Sequence, residues 1–257
     1  MGTSKGYSPP TGANWTPLKS EITDLANHLD DYNSDKKLEV STHIVSDFIT
    51  AIGGSEGFSR ASRNGKNSSG GTILSSKAGR TMALRLGNVL SSIYANGIRE
   101  TLQNQKIDYS NLTIDELEKN LLESFSDTAS NEDIDAANKA MSEVVIELFQ
   151  NVNNLDELET KIMNIVETEN ILCSFYEKYI FKRFKRKFEE ESIKKYGPDK
   201  AAKTMSDIER ALSVMLKTYQ CDKKLTEIDF STQDGEVLVQ AMLENLTGYL
   251  EDFNDEW

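Results

Sequence analysis

Residues 75–93, SSKAGRTMALRLGNVLSSI, decide the fold class. Small side chains recur every four residues at Ser75, Gly79, Ala83, Gly87, Ser91 and Ala95, while Met82, Leu86, Val89, Leu90, Ile93 and Ile98 supply apolar bulk beside them. That period belongs to a helix. Each interior glycine costs about 1 kcal/mol relative to Ala, so close packing against another helix should offset it. The stripe through Gly79, Ala83 and Gly87 is therefore expected at a contact, first with a helix of the same chain and alternatively with another subunit. GxxxG-like spacing has no membrane meaning in a helix that carries Arg80, Arg85 and Arg99.

Outward from this helix the same spacing continues. The four prolines are Pro9, Pro10, Pro17 and Pro198, so Leu18 to Gly197 contains none. The pattern predicts helices near 17–31, 37–52, 73–105, 113–126, 132–151, 155–167, 169–196, 199–222 and 232–253. Pro17 suits a first turn, Asn131-Glu132-Asp133 and Asn154-Leu155-Asp156-Glu157 resemble N-terminal caps, and Gly197-Pro198 is a stop followed by a new start. The fold class is all-α, a multi-helix bundle-like body. Its expected divisions are a flexible tail over 1–16, a helical pair over 17–52, a mobile loop over 53–71 and a main helical domain over 72–257.

The loop reads GGSEGFSRASRNGKNSSGG and holds six of the fifteen glycines with five serines, a composition ill-suited to offset the entropy of ordering it. It lacks the spacing of a Walker A phosphate loop, and no GxGxxG is present. Residues 57–106 nonetheless carry eight basic side chains against the single acid Glu100. The segment 173–195, CSFYEKYIFKRFKRKFEEESIKK, sets Phe175, Tyr176, Tyr179, Ile180, Phe184 and Phe188 at core spacing beside Lys182, Arg183, Lys185, Arg186 and Lys187. A core helix with a solvated basic face is the simpler reading, because Glu189, Glu190 and Glu191 offer partners one turn on. The alternative is an anion-binding face for nucleic acid or an anionic surface, using the loop with Lys182, Arg183, Lys185 and Arg186.

Composition is that of an ordinary globular chain of 257 residues, 38% hydrophobic and 28% charged, with a formal net charge of −13 that argues against a general nucleic-acid coat. Residues 108–169 hold sixteen acids and three lysines, so acidic faces stand ready to dock basic ones. No apolar run or signal-peptide pattern points to a membrane, and Cys173 and Cys221 read as buried free thiols of a cytoplasmic protein. His28 and His43 fall on different helices without metal spacing, and no nucleophile motif is present, so neither a metal, a cofactor nor an enzyme activity is expected.

The amino terminus is the other distinctive stretch. Met1-Gly2-Thr3-Ser4 opens a tail of Gly6, Pro9, Pro10, Gly12 and Asn14 without hydrophobic periodicity. Trimming of Met1 would leave the α-amine of Gly2. With a pKa of about 7.7–8.0 against about 10.4 for Lys5, roughly a quarter of that amine is uncharged near neutral pH, against about a thousandth of the lysine. Glycine also lets it approach a narrow pocket, since it has no Cβ.

MGTSKGY with its Gly/Pro tail, the loop GGSEGFSRASRNGKNSSGG, the helix SSKAGRTMALRLGNVLSSI and an acidic helical half containing YIFKRFKRKF together resemble QatB of the bacterial Qat anti-phage defence system. The resemblance implies partners: a QueC-like enzyme (QatC), an ATPase and a TatD-like nuclease. An enzyme of the QueC type activates a 7-deazaguanine carboxylate with ATP and delivers it to ammonia. In defence, a protein's amino-terminal glycine can take ammonia's place. The residue so implied is Gly2, with Thr3, Ser4, Lys5, Gly6 and Tyr7 threading the partner enzyme.

Overall fold

Eleven helices and one short hairpin make up the computed structural model, which describes residues 12–66, 72–126, 128, 131–164, 168–219, 230 and 232–253. In chain order these are α1 (Trp15–Asn27), α2 (Ser34–Ala51), α3 (Gly54–Arg60), β1 (Gly65–Lys66), β2 (Thr72–Ile73), α4 (Lys77–Asn96), α5 (Ile98–Asn104), α6 (Ile114–Phe125), α7 (Glu132–Phe149), α8 (Leu155–Asn164), α9 (Thr168–Tyr196), α10 (Pro198–Thr218) and α11 (Gln233–Asp252). The fold class is all-α. Local chemistry starts several helices: Asn33 accepts from the Lys36 amide, Thr113 and Glu116 form a capping box, and Asn131 accepts from the Ile134 amide. Pro198 occupies the first turn of α10 directly after Gly197 at φ +83°.

The 29-residue α9 is the axis of the body, with α4, α7 and α10 packed on it. Phe175, Tyr176, Tyr179, Ile180, Phe184 and Phe188 are all buried, as their spacing requires. α1 and α2 close one side against α10, α2 also meets α11, and the rings of Trp15 and Phe48 pack on Phe188. One continuous cluster of buried residues runs from Trp15 to Leu250, so the helical pair and the main body share a core.

Two expectations are corrected. The Gly/Ser-rich segment 53–71 is not simply a mobile loop: it opens with α3, and Gly65 and Lys66 pair antiparallel with Ile73 and Thr72. The amide of Ser55 donates to Glu251 of α11 at 2.9 Å, Arg60 pairs with Glu244, and Phe58 is fully buried against Tyr179. Long-range anchors thus offset the entropy that the composition alone cannot. Residues 67–71 lie outside the described residues.

The expected helix 73–105 is two. It breaks at Gly97, whose φ of +81° is a backbone state that side chains rarely adopt, and Glu159 of α8 accepts from the Ile98 amide at the start of α5. The small-residue stripe meets its partners within the chain. A Cβ at Gly79 would stand 2.5 Å from the Tyr179 ring, and one at Gly87 would stand 2.5 Å from the ring of Phe230, in the turn before α11. Ala83, between them, is fully buried.

Candidate functional site: a basic cleft where α4 and α7 begin

The amino-terminal ends of α4 and α7 come together over α9, and Asp133 joins them. Its carboxylate accepts from the Ser75 hydroxyl (2.7 Å), the Ala78 amide (3.1 Å), the Tyr179 hydroxyl and the Arg183 guanidinium (2.8 Å). An acid of α7 therefore caps α4, whose own Ser76 is occupied elsewhere, donating to the Phe58 carbonyl. Burial and the neighbouring Asp133 carboxylate hold the Tyr179 hydroxyl well above its usual pKa, so it stays a neutral donor. Burial acts to lower the Arg183 pKa, but Tyr179 and Asp133 more than offset it and keep the guanidinium charged.

In front of this buried network lies an open cleft of about 630 Å³. Arg63 and Asn64 border it from the segment after α3, Lys77, Thr81 and Arg85 from successive turns of α4, and Asn131 from the cap of α7. Ala78 and Ile134 add apolar surface, with the buried Met82 and Ala137 beneath them. The acids of the cleft are neutralised from behind: Glu132 pairs with Lys187 at 2.6 Å and Asp133 with Arg183. Arg63, Lys77 and Arg85 form no ion pair among the described residues; Arg85 is held by donating to the Phe125 carbonyl at 2.9 Å. The cleft therefore has a surplus of positive charge in a chain that is acidic overall.

The face expected to offer Lys182, Arg183, Lys185 and Arg186 is different from its reading as a solvated basic face. Arg183 is corrected: it is 1% exposed and belongs to the buried network. Lys182 pairs with Glu143 and Lys185 with Glu189, while Arg186 is exposed. Lys187 is also buried and reaches Glu132 of α7 rather than an acid of its own helix. Acids of α7 and, for Lys185, Glu189 one turn on in α9 itself have consumed most of this face.

Other sites are soon placed. His28 stacks on Tyr32 and bonds the Asp24 carbonyl, and no group of three or more His, Cys, Asp or Glu residues among the described residues could hold a metal. No described helix is long and apolar enough to cross a membrane. Gly2, Thr3, Ser4, Lys5, Gly6 and Tyr7 lie outside the described residues, as does Cys221. Sequence reasoning noted Asp133 only as part of a cap and did not join Arg63, Lys77 and Arg85. The available signal was the lopsided charge of residues 57–106.

A protein-family model described as "Qat anti-phage system associated protein QatB" matches residues 53–252. No curated protein and no solved structure matches the chain. The match takes in α3 through α11, and with them the cleft and the Asp133 network, and leaves α1 and α2 outside.

Proposed function

The chain belongs to the QatB family of Qat anti-phage systems, and from that premise we propose that its Gly2 α-amine is presented to a QueC-like partner and acylated there with a 7-deazaguanine. It is a component of an anti-phage defence system; the modification and the identity of the modifying partner are the proposal. The carboxylate attacks the α-phosphorus of ATP and releases pyrophosphate to give an acyl adenylate; the Gly2 nitrogen then forms the new C–N bond, AMP leaves with the electron pair of the C–O bond, and the amine proton passes to solvent.

The observation that carries this reading is the sequence Met1-Gly2-Thr3-Ser4 ahead of a firmly anchored first helix. Trp15, the first residue of α1, is 2% exposed and packs on Phe48 and Phe188. The Gly12 carbonyl accepts from the Trp15 amide at 3.1 Å and so belongs to the same anchored start, which fixes the origin of whatever precedes it. Residues 2–11, at roughly 3.3 Å each, have a contour of about 33 Å, the upper limit on how far from that origin the Gly2 amine can be presented. The α-amine is favoured over Lys5 by its larger neutral fraction.

Mass spectrometry of the amino-terminal peptide, from cells that also contain the partner enzyme, tests the proposal. The expected product is Gly2 linked as an amide to a deazaguanine. Gly2→Pro, a secondary amine held in a ring, should block the reaction without altering the fold, and Lys5→Arg should not. An unmodified Gly2 while defence is active would leave the protein a binding component only.

A further inference from the structure

We propose that the cleft between the beginnings of α4 and α7 binds a phosphorylated nucleoside, with the phosphate held by Arg63, Lys77 and Arg85. Three cations from two separate segments border one cavity, and none has a carboxylate partner among the described residues. In the same basic segment Arg60 holds Glu56 and Glu244 and Arg99 holds Asp156, while Lys66, Arg80 and Lys106 also form no ion pair among the described residues but do not border the cleft. Lys77 and Arg85 stand two turns apart on one side of α4, and the Phe125 carbonyl fixes one guanidinium nitrogen of Arg85. A guanidinium held in this way loses little freedom when a phosphate arrives, and it suits the paired oxygens of a phosphate.

The two acids of the cleft do not cancel this surplus. Glu132 is committed to Lys187, and Asp133 to Arg183 and the cap of α4. Replacing either pairing would cost a buried or half-buried cation its partner, so a phosphate meets the three outer cations as an uncompensated group.

Volume and lining point beyond an inorganic ion. About 630 Å³ lies within the range of small-molecule sites and exceeds what a phosphate alone would fill. Ala78 and Ile134, both partly exposed, supply an apolar wall against which a base or sugar can lie, with the buried Met82 and Ala137 behind them, and Asn131 adds a polar side chain at the rim. A small ligand with one strongly anionic end and a flat apolar body fits that distribution; a phosphorylated nucleoside is the chemistry that combines them.

Titration calorimetry on the full chain, expressed without any partner, tests this independently of the Gly2 modification. The probes are the four ribonucleoside monophosphates, the matching nucleosides, and a 20-nucleotide single strand without a terminal phosphate. At least one monophosphate should bind, its nucleoside at least tenfold more weakly. Lys77→Gln and Arg63→Gln should each weaken binding about tenfold, the loss expected for one charge-assisted contact, with the melting temperature unchanged. Lys185→Gln, on the paired face of α9, should bind as the parent does. The proposal is overturned if no monophosphate binds, or if binding survives both cleft substitutions. It is also overturned if the unphosphorylated strand binds tenfold more tightly than every monophosphate with a steep salt dependence, since the cleft would then be part of a nucleic-acid track.

Discussion

Asp133 illustrates how one side chain can hold three parts of a chain in register. Its carboxylate takes donors from the approach to α4, from α4 itself and from two turns of α9, and it also neutralises Arg183. Asp133→Ala would leave Arg183 buried without its counter-charge, so a loss of about 3–5 kcal/mol in chemical denaturation is expected. Replacing both members, as Asp133→Leu with Arg183→Met, should recover a substantial part of that loss, because the stranded charge goes too. Glu21 presents the opposite case. Burial, with Asp47 and Asp24 nearby, raises its pKa to about 7, and its Oε2 has no hydrogen-bond partner. A carboxyl with a raised native pKa binds more protons folded than unfolded, so stability falls as pH climbs from about 4.5 to about 7 and stays reduced above. Glu21→Gln should match the parent below pH 4.5 and be more stable at pH 8, by about 1 kcal/mol once solvent screening of this half-buried group is allowed for. Asp47, which is also raised by burial, will widen the parent's transition, while His43 opposes it.

Among the helices, α3 shows why part of the fold was not legible. Its seven residues contain one large apolar side chain, Phe58, and the group that satisfies its first turn, Glu251, lies 196 positions away from Ser55. No local window contains that information. Glu251→Ala should therefore loosen α3 selectively: faster hydrogen exchange over residues 55–60 and a loss of about 1 kcal/mol, comparable with removing a helix cap. The break at Gly97 was hidden for a different reason, since Ile98 and Leu102 continue the apolar spacing of α4 across it. The long elements were readable because each presents several turns of one buried face, and the proline-free span marked their extent. The cleft was only half readable: its bases stood out as a group in sequence, but its acids and their partners come from α7 and α9. Arg183 was misread for the same reason, as its neighbours Lys182, Lys185 and Arg186 gave no sign that its own side chain turns inward to Asp133. The stripe on α4 offers a direct check of close packing. Gly87→Leu drives a side chain into the Phe230 ring and should cost about 1–3 kcal/mol in thermal or chemical denaturation, whereas Arg85→Ala beside it should cost less.

Taken over the entire chain, the family match and the packed core have different limits. The match spans 53–252, yet α1 and α2 pack into the same core as the helices it covers. Without them Phe184 and Phe188 of α9 would lose the rings of Phe48 and Trp15, and an apolar surface would open along α9, α10 and α11. Two deletions separate this from the role proposed for the tail. Removing residues 2–11 keeps Trp15, the anchor of α1, and takes away only sequence without apolar periodicity, so the melting temperature should stay within about 1 °C while protection against phage is lost. Removing residues 2–52 should yield protein that aggregates or fails to melt cooperatively, because large aromatic and aliphatic side chains of the core are left uncovered. Trp15→Ala lies between the two: loss of a buried aromatic costs about 3–5 kcal/mol, which in a chain of this size lowers the melting temperature by roughly 10 °C. Differential scanning calorimetry with a plaque assay distinguishes the cases. A 2–11 deletion that unfolds early would make the tail part of the core, and one that still protects cells would remove Gly2 from the mechanism.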